Sequence, residues 1–412
     1  MIMMRRHDTI IIGAGQAGLA LSHQLSARGV DHLLIERGRL AERWRSERWD
    51  SLRLLTPNWM TRLPGWELEA GENPDGFRSK DELVGLLERY ARSFDAPVSE
   101  NTEVTGVYPL HPGFRVETTS GRYEARNVVI ATGHSADPKI PGLADSLDPG
   151  IRQLHSSQYR NPDDLGEGGV LVVGAGASGI QIASELAGAG RRVVLSAGRH
   201  ARAVRAYRGK DLWWWLDRLG SLDETVDDVP DVEASRRTPS LGLTGSGGDI
   251  DLGTLDRAGV TVAGRVVTGD ASVVRFGTNL EEDVSTADRR LRRLLDRFDA
   301  QAAMEGLDPF LEPPSRPTPV RLPPAASELD LSSGFGTVLW ATGYCRRYPW
   351  LHVDVLDASG DVIQRRGVTS HSGLYVLGMR FQWSRGSHFV DGVGRDAEYL
   401  ADHMMSAYAA VA

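Results

Sequence analysis

Cysteine is almost absent from this chain, and so is lysine. Cys345 is the one thiol in 412 residues, which excludes a disulfide framework and an intramolecular dithiol redox pair. The basic residues are arginines save for Lys80, Lys139 and Lys210. Positive charge is not in excess either: the formal charge is −8 at pH 7, which argues against a nucleic-acid partner. No apolar run approaches the roughly 20 residues that a membrane-spanning helix requires. Residues 1–7 lack the apolar stretch of a signal peptide, so a cytoplasmic protein is expected. No spacing of His, Cys, Asp or Glu points to a metal site, and no nucleophile stands in a pattern with a base.

Glycine, by contrast, is plentiful at 46 residues, and two glycine clusters share one pattern. Gly13-Ala14-Gly15-Gln16-Ala17-Gly18 and Gly174-Ala175-Gly176-Ala177-Ser178-Gly179 both read GxGxxG. Alone the pattern is unspecific. Here each copy follows a short β-branched run, at 9–12 and 170–173, that reads as a buried parallel strand. Each also precedes a helical stretch, at 19–28 and 180–188. In such a unit the first glycine makes the tight turn and the second lets backbone approach a pyrophosphate. The third lets the helix pack closely on the strand, and the pyrophosphate rests on the helix N-terminus. Two units predict two dinucleotides, one able to reduce the other. The chain is long enough for two domains with their own cores.

The first unit continues through a strand at 32–35 to Glu36. This carboxylate, about 20 residues past the glycines, is placed to hold the hydroxyls of an adenosine ribose. The second unit ends its corresponding strand at Ser196 without a carboxylate, and Arg199 follows closely. A carboxylate there would repel a 2′-phosphate; a hydroxyl and a guanidinium would bind one, so NADPH is expected over NADH.

Between the units, 81–90 reads as an amphipathic helix, and 114–118 with 123–129 as a hairpin about Ser120-Gly121. Pro138, Pro141 and Pro149 mark a linker. Later, 210–219 with its Trp213-Trp214-Trp215 run and 287–304 read as helices, separated by a turn-rich stretch at 230–248. Strands are expected at 337–340 and from 369 to 378, with a closing helix at 395–409. The expected fold class is α/β: two Rossmann-like dinucleotide-binding domains of three layers (ββα/βαβ), the second inserted into a discontinuous first. The first domain takes 1–145 and 331–412; the second takes 146–330, with a helical insert at about 200–320.

Two strand-ending turns, Ala131-Thr132-Gly133 and Ala341-Thr342-Gly343, accompany the fingerprints, as does Gly373-Leu374-Tyr375-Val376-Leu377-Gly378. On these residues the chain resembles the flavin-containing monooxygenases and their Baeyer–Villiger relatives over nearly its whole length. Trp44-Arg45, Arg48-Trp49-Asp50-Ser51-Leu52 and Gly392-Val393-Gly394-Arg395-Asp396-Ala397 are similar to a bacterial branch commonly labelled potassium-transport flavoproteins, although nothing here points to ion handling. The resemblance implies FAD in the first domain, NADPH in the second, and reduction of the flavin by NADPH. It further implies O2 capture as a flavin C4a-hydroperoxide, which passes one oxygen atom to nitrogen or sulfur of a small organic substrate or inserts it beside a ketone. Two departures stand against it. In the family motif FxGxxxHxxx(F/Y), His155 and Tyr159 keep the second half, while Pro149 and Ile151 replace Phe and Gly. The family's flavin-side Asn directly follows a Thr; here Pro57 separates Thr56 from Asn58.

FAD is therefore expected against Gly13, Gly15, Gln16, Ala17, Gly18 and Glu36. The resemblance adds Arg37, Trp44, Arg45, Thr56, Val104, Ala131, Thr132, Gly133, Gly378 and Gln382. NADPH is expected against Gly174, Gly176, Ala177, Ser178, Gly179, Ser196, Arg199 and Thr342. Arg53, Thr56 and Asn58 are candidates for stabilising the peroxide, and no side chain receives a firm catalytic assignment. His155 is read as a structural hydrogen bond between domains. Trp213 to Trp215 either shape a substrate tunnel or pack. The expected partners are a small-molecule substrate and O2, with monomer and homodimer both open. Two other readings remain: an NADPH oxidase or dehydrogenase that reduces flavin without holding the peroxide, and a redox-sensing regulatory protein that binds nucleotides and turns over slowly.

Overall fold

The computed structural model describes residues 5–245 and 248–409; residues 1–4 of the N-terminal stretch and 246–247 of the turn-rich stretch lie outside it. Two sheets carry the two fingerprints. The first is built on Arg5–Ile12, with His32–Ile35 parallel on one side and Gly121–Ile130 parallel on the other. Val98–Ser99 and Leu374–Val376 extend it outward, again in parallel. The register brings Ile12, Ile35, Ile130 and Val376 level, so these strands end together.

Both faces of this sheet are covered, which is why its central strands are nearly continuous Ile, Val and Leu. Ile11, Leu34, Val129 and Tyr375 point to one face and pack against helices Gln16–Ala27, Lys80–Ser93 and Val393–Ala409. Ile10, Ile12, Ile35, Val128 and Ile130 point to the other, beneath the antiparallel strands Val104–Pro109 and Phe114–Thr118. The hairpin expected about Ser120-Gly121 pairs Thr118 with Gly121. The result is the expected ββα layering.

The second sheet is parallel throughout, in the order Thr261–Ala263, Val193–Ser196, Gly169–Val173, Phe335–Trp340, Arg152–His155. Here the sequence reading needs correcting. Phe335–Trp340 belongs to this sheet, between two strands more than 160 residues earlier in the chain, so the second unit runs past the boundary expected at 330. An apolar run shows that it is a strand but not which sheet it joins. Nor is 200–320 simply a helical insert: Thr261–Ala263 is the sheet's edge strand, and Val266–Asp270 and Val273–Phe276 form a small antiparallel sheet with Glu328–Asp330. Helix Leu280–Met304 packs Leu291, Leu295, Phe298 and Ala302 on Tyr207, Trp213 and Trp215. Trp215 stacks on Phe298 at 5.1 Å between centroids, and the indole N–H groups of Trp213 and Trp215 donate to the carbonyls of Leu55 and Tyr207. Those two tryptophans are core, which removes the tunnel reading for them.

The chain passes between the domains twice, and the two crossings pair with each other. Asp137–Pro138 lies antiparallel to Tyr344–Cys345. Lys139 N donates to Gly343 O at 3.0 Å, and the Thr342 hydroxyl donates to Lys139 O.

Candidate functional site

The same cradle is built at the C-terminal end of both central strands. Gly13 and Gly174 have φ of +109° and +112°, and a Cβ on either would lie 2.6 Å from Ala131 O or 2.4 Å from Ala341 O. A Cβ on Gly18 would fall 2.0 Å from Gly13 O, and one on Gly179 1.8 Å from Gly174 O. These four positions need glycine for the fold itself. The middle glycines differ. A Cβ on Gly15 would meet nothing within 4 Å, and one on Gly176 would meet only Ser240 Oγ, at 3.3 Å. The first cradle thus stays open where a pyrophosphate would approach the helix N-terminus, and at the second only the Ser240 hydroxyl stands there, an approach that a dinucleotide requires. The two Ala-Thr-Gly turns wall the cradles alike: Ala131 N donates to Ile12 O at 2.9 Å, and Ala341 N to Val173 O at 2.8 Å.

Beside the first cradle, Glu36 is half-buried. Its Oε2 accepts from Ala14 N at 2.9 Å and its Oε1 from Gly38 N at 3.1 Å, so the carboxylate is held against the fingerprint. Trp44 Nε1 donates to Gln16 Oε1 at 3.3 Å, bringing the short helix Glu42–Ser46 over the start of helix Gln16–Ala27. Gly378, with φ of +81°, crosses the same helix start: a Cβ there would lie 2.7 Å from Ala17 Cβ. Arg37 pairs with Glu47 at 3.0 Å, and Arg45 Nε donates to Leu40 O at 3.0 Å. Val104 is buried in the core beneath the sheet. Gln382 is buried too, its Oε1 accepting from Met379 N at 3.2 Å, so it ties the turn that follows Gly378.

The candidates for oxygen stabilisation scatter. Thr56 is buried, but Arg53 is half-exposed and donates to Phe77 O at 2.8 Å, and Asn58 Nδ2 donates to Asn73 O at 3.0 Å. Both bind the 73–77 segment, whose position the sequence did not reveal, and neither side chain bonds to a cradle residue. In their place the structure brings together Arg43 and His134, which the sequence did not single out, and His388. Arg43 donates to the carbonyls of Ser135 and Ala136, just past the first Ala-Thr-Gly turn. His134, next to Gly133, meets His388 edge-on at 4.9 Å between centroids. Burial, and then the guanidinium groups of Arg380, Arg48, Arg346 and Arg43, push the His134 pKa down to about 4. Burial likewise holds His388 well below the ordinary range, and its Nδ1 is buried without a hydrogen-bond partner among the described residues. His134 could have been suspected from its place after Gly133; the other residues are joined only by the fold.

At the second cradle Ser196 overturns its expected role. It is buried, and its hydroxyl donates to Gly264 O and accepts from Val266 N, both at 3.0 Å. The neighbouring loop therefore satisfies it, and no phosphate can reach it. Arg199 is exposed, with no hydrogen bond or ion pair among the described residues. Ala177 N donates to Ser240 Oγ at 3.2 Å, which puts a hydroxyl oxygen where a phosphate oxygen would sit on the second helix; Ser178 follows in the same first turn. Thr342 is engaged with Lys139 O in the interdomain ribbon. Among the described residues no cluster of three or more His, Cys, Asp or Glu could hold a metal ion, and no helix is long and apolar enough to cross a membrane.

Comparison with known proteins agrees with this architecture. Residues 10–216 match the family described as pyridine nucleotide-disulphide oxidoreductase. An oxidoreductase designated CzcO-like from Geobacillus kaustophilus is 34% identical over 404 residues, 97% of this chain and 98% of its own length. The probable indole-3-pyruvate monooxygenase YUCCA1 of Arabidopsis thaliana is 38% identical over 185 residues, 44% of each chain. The structure of a flavin-containing monooxygenase from Stenotrophomonas maltophilia superposes with a TM-score of 0.69 at 18% identity, covering 98% of this chain and 99% of that one. The family implies a flavin and a nicotinamide cofactor, and the two cradles fit both, the Ser240 hydroxyl at the second standing where a phosphate oxygen would. The chain belongs to the pyridine nucleotide-disulphide oxidoreductase family and is an oxidoreductase, with the two-domain dinucleotide-binding fold seen in a flavin-containing monooxygenase structure.

Proposed function

We propose that the protein is an FAD- and NADPH-dependent monooxygenase acting on a small organic molecule. The observation that carries this reading is the duplicated cradle with unlike flanks: a carboxylate held at the first, an unpaired guanidinium beside the second. FAD would be held by the backbone of residues 13–18 and by Glu36, whose carboxylate suits ribose hydroxyls. NADPH would be held by the backbone of residues 174–179 and by Arg199. When bound, the flavin supplies hydride acceptance and reaction with O2.

The chain's own residues orient and shield. The Asp137–Pro138 and Tyr344–Cys345 ribbon sets one cradle against the other. Trp44, on Gln16, narrows the mouth of the first. Arg43, Arg48, Arg346 and Arg380 make the surroundings of His134 electropositive, which favours an anionic dinucleotide. His134 and His388 are neutral at pH 7 and offer no ready proton, which suits chemistry that stray protons would divert.

A second reading, an NADPH oxidase that passes electrons to O2 without oxygenating a substrate, is favoured by Asn58, whose amide nitrogen donates to Asn73 O. The test is NADPH oxidation by the FAD-loaded protein against a panel of amines, thioethers and ketones. Oxygenated product in step with NADPH consumed supports the monooxygenase. Hydrogen peroxide in step with NADPH, and no product, supports the oxidase. A protein that binds FAD and NADPH but consumes negligible NADPH with every substrate is the redox-sensing regulator. Failure to bind FAD sinks all three.

A further inference from the structure

We infer that Arg265 is a second determinant of NADPH preference, gripping the 2′-phosphate together with Arg199, and that Ser196 is the residue that positions it. The inference rests on the NADPH reading of the second cradle. Val193–Ser196 and Thr261–Ala263 are neighbouring parallel strands in which Ser196 pairs with Ala263, so their C-terminal ends are level. Arg199 follows the first strand by three residues and Arg265 follows the second by two. In a sheet of this kind the adenosine ribose lies outside these strand ends.

Arg265 packs against the segment that carries Arg199. The stem of Arg265 lies along Gly198, the residue before Arg199: its Cβ, Cγ and Cδ stand 3.4–3.5 Å from where a Cβ on Gly198 would be. The Ser196 hydroxyl brackets Arg265, donating to Gly264 O on one side and accepting from Val266 N on the other. Gly277 N donates to Arg265 O at 2.8 Å, fixing the peptide from a third direction. The backbone carrying Arg265 is thus held on three sides while its side chain stays exposed.

Neither guanidinium has a hydrogen bond or ion pair among the described residues. Arg202, just beyond, shows the contrast: it is paired with both Asp251 and Asp288, at 2.8 and 2.7 Å. Two uncompensated guanidinium groups carried by neighbouring strand ends suit a phosphate monoester, whose three oxygens can accept from both. They have no such partner in NADH.

The experiment is calorimetric titration of the FAD-loaded protein with 2′,5′-ADP and with 5′-ADP, ligands that differ only in the 2′-phosphate. The expected result is tighter binding of 2′,5′-ADP by the wild type. Arg265→Ala should weaken that ligand by about tenfold, the range of a lost charge-assisted hydrogen bond, and leave 5′-ADP unchanged. Arg265→Lys should recover part of the loss. Ser196→Ala should weaken 2′,5′-ADP in the wild-type background but not when Arg265 is already alanine, a coupling that general loosening of the sheet would not produce. Wild-type affinity of Arg265→Ala for 2′,5′-ADP, with Arg199→Ala impaired, overturns the inference and leaves the NADPH reading standing. Equal binding of both ligands by the wild type overturns both.

Discussion

His155 Nε2 lies 2.9 Å from the carbonyl oxygen of Gly343, joining the end of the strand Arg152–His155 to the point where the chain crosses back to the first domain. The imidazole is buried, its Nδ1 is 3.0 Å from Ser157 Oγ, and the Tyr344 ring meets it edge-on at 4.8 Å. Both ring nitrogens are therefore engaged, Nε2 at the interdomain crossing and Nδ1 within its own turn. His155→Ala should cost about 1–3 kcal/mol of stability by leaving buried partners unsatisfied. It should also slow flavin reduction by NADPH more than it weakens binding of either cofactor. Thermal melts and stopped-flow reduction, alongside FAD titration, check this.

Desolvated imidazoles set the acid limb of stability. His23, His32, His134, His155 and His388 all have pKa values lowered by burial from the ordinary 6.5, His134 to about 4. These side chains are neutral when folded, whereas the unfolded chain takes up protons below 6.5. Stability is therefore full above that pH and is lost as pH falls from 6.5 toward 4, each such group adding a slope of up to about 1.4 kcal/mol per pH unit. Urea melts of the cofactor-free protein at pH 7.5, 6 and 5 should show midpoints falling in that order.

The glycines of one fingerprint should fail in different ways. Gly18→Ala drives a methyl into Gly13 O and should destabilise the fold by about 3 kcal/mol or more. Gly15→Ala meets no protein atom, so the protein should fold normally yet bind FAD about tenfold or more weaker, a change of about 1.4 kcal/mol or more. Circular-dichroism melts and flavin absorbance of the purified variants separate the two outcomes. The same contrast is expected between Gly179 and Gly176 with NADPH.

Cys345 stands in the interdomain ribbon, its Sγ 4.0 Å from Pro138 O, and it has no second thiol to pair with. Cys345→Ser should change stability by no more than about 0.5 kcal/mol and leave NADPH-dependent flavin reduction intact. Loss of reduction in this variant would contradict a mechanism in which no thiol takes part.

What the sequence by itself determined is what neighbouring residues decide together. A β-branched run, glycines at fixed offsets and a helix N-terminus make one contiguous unit, so both cradles, Glu36 at the end of its strand and the two Ala-Thr-Gly turns were legible residue by residue. Single-residue chemistry was legible too: one cysteine excludes an intrachain dithiol wherever it lies. Only the tertiary structure decided which sheet Phe335–Trp340 joins, that Asn58 turns to Asn73, that Ser196 faces Gly264 and Val266, and that Arg265 packs on Gly198. Each of these depends on pairing between segments far apart in the chain. A hydroxyl or guanidinium carries the same donors wherever it sits, and only packing decides whether protein takes them up or leaves them open to a ligand.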